Sequence, residues 1–107
     1  MASDSADFTP QGDGRRILVV DDEGYISDLL RTSLRFVGFE VEVADNGNDA
    51  LRKVSEFGPE LIILDVMMPG PDGFEVCRRL RNDGDHTPVI FLTARDSAED
   101  RVSGFLK

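Results

Sequence analysis

The residues of this chain with the most capacity for chemistry are three aspartates and a threonine, each at the end of a short apolar run. Ile17-Leu18-Val19-Val20 ends in Asp21-Asp22, Leu61-Ile62-Ile63-Leu64 ends in Asp65, and Val89-Ile90-Phe91-Leu92 ends in Thr93. Runs this short, apolar throughout and rich in branched side chains, suit parallel strands covered on both faces. Ligands of an open parallel sheet bind at the carboxyl rim of its strands. Asp21, Asp22 and Asp65 are therefore expected to converge there, with Thr93 one strand away. Three carboxylates at close quarters repel one another unless a cation is shared. A hard divalent ion with oxygen ligands, such as Mg2+, removes the conflict and keeps water ligands that phosphate oxygens can replace. The loop after Asp65, Val66-Met67-Met68-Pro69-Gly70-Pro71-Asp72-Gly73, has the glycines and prolines of a tight loop shaped beside a site.

The elements that must position these residues can be read from periodicity. Phe39-Glu40-Val41-Glu42-Val43 alternates apolar and charged, which suits an edge strand with one wet face. Between the strands lie helical stripes: Ile26, Leu29, Leu30, Leu34 and Val37, stopped by Gly38; then Ala50, Leu51, Val54 and Phe57, stopped by Gly58-Pro59. A third stripe is Phe74, Val76, Cys77 and Leu80, and a fourth begins at Ala98 with Val102, Phe105 and Leu106. The order β-α-β-α-β-α-β-α, joined by right-handed crossovers, gives an α/β fold: a doubly wound parallel sheet with helices on both faces. Residues 1–14, rich in Ser, Asp, Gly and Pro with a single Phe, read as a disordered tail.

Composition narrows the function. The 107 residues suffice for one domain, and a formal charge of −9 opposes direct nucleic-acid or anionic-membrane binding. A single cysteine permits no intrachain disulfide and fits a reducing compartment. No apolar run approaches the roughly 20 residues that cross a bilayer, and no signal pattern opens the chain, so a cytoplasmic domain is expected. Plainer roles account for other residues. Cys77 lies on an apolar stripe and reads as core, His86 sits in a polar loop, and Arg78, Arg79 and Arg81 read as a wet helix face. Asp22, just before a helix, could serve only as its cap.

Ile17–Glu23 (ILVVDDE), Leu61–Gly73 (LIILDVMMPGPDG) and Phe91–Ala94 (FLTA) resemble, in order and spacing, the receiver domain of bacterial two-component response regulators. Gly73–Arg81 and Thr93–Gly104 resemble its OmpR/PhoB subfamily. The resemblance spans Arg16 to Lys107 and implies a flavodoxin/CheY-like sheet of strand order 2-1-3-4, with 15–107 as the receiver domain. It implies that Asp65 is the phosphoacceptor, taking a phosphoryl group from a histidine of a sensor kinase. Asp21 and Asp22 would hold Mg2+ with Asp65 and the Met67 main-chain carbonyl. Thr93 would be the switch hydroxyl on a phosphoryl oxygen, and Ala94 would leave room for that group. Such a module transfers the phosphoryl group to itself and is not a turnover enzyme; its output passes to a C-terminal DNA-binding transcriptional domain.

Receivers of this family continue into a fifth strand carrying a lysine followed by a proline. The only lysines here are Lys53 and Lys107, and neither stands in that motif. The chain thus reads as a receiver incomplete at its C-terminus, without the fifth strand and helix. On that reading Val89–Thr93 is an open edge, which implies a homodimer or edge-strand association. Three other functions compete. A non-phosphorylated binding or dimerisation fragment of such a regulator shares every motif. A phosphatase with an aspartate nucleophile would place a second Asp two residues on, where Met67 stands. A flavodoxin-like electron carrier would need a hydroxyl-rich phosphate loop where Asp21-Asp22-Glu23 would repel the cofactor.

Overall fold

The computed structural model describes residues 12–92. Seven elements alternate along them: β1 (Arg16–Val20), α1 (Gly24–Phe36), β2 (Glu40–Ala44), α2 (Gly47–Phe57), β3 (Leu61–Asp65), α3 (Gly73–Asn82) and β4 (Val89–Leu92). Of the disordered tail expected over 1–14, residues 1–11 lie outside the described residues, as do Thr93, Ala94 and the stripe beginning at Ala98; residues 12–14 are instead held against the end of α1, where the N–H groups of Gly12 and Gly14 donate to the carbonyls of Val37 (2.6 Å) and Gly38 (2.9 Å). The four strands form one parallel sheet in the order β2-β1-β3-β4, as expected from the resemblance. β2 begins and ends one residue later than its alternation suggests.

Each face of the sheet has its own core. Leu18, Val20, Ile62, Leu64 and Phe91 point toward α2 and α3, where Ala50, Val54, Val76 and Leu80 meet them. Ile17, Val19, Val41 and Ile63 point the other way, toward Leu30 and Leu34 of α1. Apolar positions on both faces are what a doubly covered parallel strand requires. α1 is turned from the orientation its stripe suggests. Ser27 is buried, while Leu29 is 54% and Val37 38% exposed. The Ser27 hydroxyl can be buried because it donates back to the Gly24 carbonyl at 3.2 Å.

The edges and helix ends are handled locally. On edge strand β2, the carbonyls of Val43 and Val41 accept from Lys53 Nζ (2.6 Å) and Arg35 (3.0 Å), so two cations cover them. β4 pairs with β3 on one side, and among the described residues no strand lies on the other. Asn46 and Asp72 cap α2 and α3, accepting from the backbone N–H of Asp49 (2.7 Å) and Glu75 (2.9 Å).

Candidate functional site

The register of the sheet assembles the site. Val20 pairs with Leu64 across β1 and β3, so the next residues of each strand, Asp21 and Asp65, stand side by side at the carboxyl rim. Both carry the parity of the α1 face, and both are buried, at 0% and 2% exposure. Asp22 follows Asp21 into solvent. One carboxylate oxygen from each of the three lies within 4.8 Å of the other two. The convergence expected from the sequence is what the fold produces.

Two tight turns orient the buried pair. Asp21 Oδ1 accepts from the N–H of Glu23 at 2.8 Å, and Asp65 Oδ1 accepts from the N–H of Met67 at 3.1 Å. Each aspartate thus folds the chain after its strand back on itself and commits one oxygen to that turn. Oδ2 of Asp21 is buried, and among the described residues no hydrogen-bond donor reaches it. Asp22 does not cap α1: the N-cap position is Glu23, whose side chain makes no cap hydrogen bond.

The electrostatics follow from this crowding. Burial pushes the Asp65 carboxyl up to about 6; the Met67 N–H opposes the rise, and the charges of Asp21 and Asp22 add to it. Burial likewise raises Asp21, against the Glu23 N–H and with the charges of Asp22 and Glu23. An orphaned buried oxygen beside two carboxyls held above their ordinary range marks a place for positive charge. A hard divalent cation fits that donor set. An open cleft of about 550 Å³ adjoins Asp22, walled by Val66, Met67, Met68, Pro69, Asp72 and Phe74.

Other expected roles are also placed. Cys77 packs against the α2/α3 core. Arg78 and Arg79 pair with Glu75 on an exposed face and hold its carboxyl well below the usual range. Arg81 donates to the Asp85 carbonyl at 2.9 Å. Two glycines approach the loop closely. Gly73, one of the glycines of the loop read from the sequence, lies against the backbone of Asp65, and Gly47, which the sequence reading passes over, lies against Pro71 of the loop that follows Asp65. The only signal of Gly47 in the sequence is a glycine at a helix start, where other residues serve better.

Comparison with known proteins places this arrangement. The family model for the response regulator receiver domain matches residues 17–106. The chain is 52% identical over 89 residues to the response regulator MprA of Mycolicibacterium vanbaalenii, covering 83% of this chain and 38% of that one. It is 46% identical over 89 residues to the transcriptional regulatory protein TrcR of Mycobacterium tuberculosis, covering 83% and 35%. The chain thus spans under two fifths of the length of these curated relatives. Among solved structures, the receiver domain of Francisella response regulator 1452 superposes with a TM-score of 0.74 at 34% identity, covering 84% of this chain and 74% of that one. The response regulator TrrA of Thermotoga maritima, solved in complex with Mg(2+)-BeF, superposes with a TM-score of 0.72 at 41% identity, covering 82% and 75%.

Proposed function

This chain belongs to the response regulator receiver family, and from that membership we propose that Asp65 is its phosphoacceptor, charged by a sensor histidine kinase. The observation that carries the assignment is the convergence of Asp21, Asp22 and Asp65 at one rim, in the order and spacing of the receiver motifs. The Met67 N–H holds Asp65 Oδ1, which leaves Oδ2 as the nucleophile. That oxygen attacks phosphorus in line, the P–N bond to the donor histidine breaks, and an acyl phosphate forms on Asp65. Asp21, Asp22, Asp65 and the main-chain carbonyl of Met67 would hold a Mg2+ ion, which when bound supplies the positive charge that offsets the phosphoryl oxygens. Asp21 would contribute its unpartnered buried oxygen. Thr93 is assigned the switch hydroxyl, which would donate a hydrogen bond to a phosphoryl oxygen. The module is a regulator that modifies its own carboxylate, without steady turnover.

On the same reading, 15–107 is the receiver domain, 1–11 a tail, and the setting the cytoplasm; no helix among the described residues is long and apolar enough to cross a membrane. Similarity to MprA and TrcR supports an output in transcription, through a DNA-binding domain of a longer protein. The test is intact-mass spectrometry after incubation with acetyl phosphate and Mg2+. One phosphoryl increment, labile to hydroxylamine and missing from Asp65→Asn, is expected. No increment in the wild-type chain would refute the acceptor role and favour a binding or dimerisation module.

A further inference from the structure

The loop from Val66 to Asp72 leaves β3 at Asp65 and returns to start α3 at Gly73, whose N–H donates to the Val66 carbonyl at 3.0 Å. Gly73 is buried against the strand end it has just left. A Cβ there would lie 2.3 Å from the Asp65 carbonyl oxygen and 2.9 Å from both the Asp65 carbonyl carbon and Val66 Cα. The far side of the loop meets a second glycine, Gly47, the first residue of α2. A Cβ on Gly47 would lie 2.6 Å from the Pro71 carbonyl oxygen, 3.0 Å from Pro71 Cβ and 2.9 Å from Val76 Cγ2. Neither glycine has a positive φ, so backbone freedom does not account for them. What they supply is room, and most of the neighbours are backbone atoms that no side-chain rotation can move aside. Gly24, which starts α1, has nothing within 4 Å of its Cβ position.

We propose that Gly47 and Gly73 are positioning residues: they grip the acceptor loop from both ends and thereby set where the Asp65 carboxylate and the Met67 backbone stand. The link to the site is the Met67 N–H, which fixes Asp65 Oδ1 from inside the same loop. α2 lies between Asp22 and Asp65 in sequence and, among the described residues, supplies none of the carboxylates of the cluster. It acts by contact through Pro71, so the start of α2, the loop and the carboxylate move as one body. This rests on the reading of Asp65 as the acceptor that works with a divalent cation.

The test compares Gly47→Ala with Gly24→Ala in the whole chain, two substitutions at the first residue of a helix that differ in the space available. Two readouts need no phosphorylation: hydrogen exchange of the Met67 amide in the metal-free protein, and the Mg2+ dissociation constant by titration calorimetry. Gly47→Ala is expected to melt cooperatively, to speed Met67 exchange and to weaken Mg2+ binding by about tenfold, the low end of what partners of metal ligands contribute. Gly24→Ala is expected to move neither. Met67 exchange and Mg2+ affinity both within about twofold of wild type in Gly47→Ala would overturn the proposal. If Gly47→Ala does not fold, Pro71→Gly empties the other side of the contact without adding an atom. It is expected to loosen Met67 and weaken Mg2+ binding, and unchanged values there would also overturn the proposal. A failure of Asp65 to accept phosphate would leave both readouts in force, so the two readings fail separately.

Discussion

Replacing Asp65 by Asn should stabilise the metal-free protein at neutral pH, although it removes the residue assigned the chemistry. The Asp65 carboxyl stands at about 6 in the folded chain against an ordinary 3.8. Its folded form therefore holds a proton more tightly than the unfolded form. The stabilisation from that proton is complete below about pH 4 and is lost as pH rises through about 6. At pH 7.5 the ionised, buried carboxylate costs the fold about 3 kcal/mol. Asn keeps an oxygen to accept the Met67 N–H and replaces the second anionic oxygen with a donor that Asp21 and Asp22 can accept from. For a domain of this size each kcal/mol moves the midpoint by roughly 4–8 °C, so the variant should melt roughly 10 °C or more above wild type. The assay is thermal unfolding followed by circular dichroism, in chelator, from pH 4 to 7.5. The gap should be widest at pH 7.5, shrink toward pH 4, and narrow again at pH 7.5 when excess Mg2+ is added, because a ligand bound to the folded state stabilises it. A wild-type chain as stable as Asp65→Asn in chelator at pH 7.5 would refute the idea that the site is under electrostatic strain.

Further outcomes follow from the packing. Leu64→Ala, at a fully buried position between β3 and the α2/α3 layer, should cost about 2–5 kcal/mol in urea unfolding, whereas Leu29→Ala on the exposed side of α1 should stay within about 0.5 kcal/mol. Asn46→Ala and Asp72→Ala each remove a helix cap and should each lower stability by about 1 kcal/mol in the same assay. Glu75→Gln breaks the exposed pairs to Arg78 and Arg79 and should leave the melting midpoint unchanged within error, since such pairs are well solvated. Asp21→Asn should weaken Mg2+ binding measured by calorimetry while leaving the far-ultraviolet dichroism unaltered; undiminished Mg2+ affinity would remove Asp21 from the proposed ligand set.

Much of this molecule can be derived from its sequence, because the deciding information is local. Four-residue apolar runs are strands wherever both faces are to be covered, and the glycines after Val37 and Phe57 stop helices whatever surrounds them. Asp21 and Asp65 each come one residue past an apolar run of four, so parallel alignment of β1 with β3 brings them together without further detail. Tertiary structure decided what depends on the distance between segments. The stripe of α1 put Leu29 and Val37 on the inward face, but packing on the sheet turned the helix and buried Ser27 instead. The α1 cap fell at Glu23 and not Asp22, because the turn held by Asp21 carries the chain one residue further. The need for glycine at 47 and 73 arises from close approaches to Pro71 and Asp65. The tight loop around Gly73 hints at crowding there, but nothing beside Gly47 reports its contact with Pro71, because steric exclusion acts between atoms close in space, however far apart they lie along the chain.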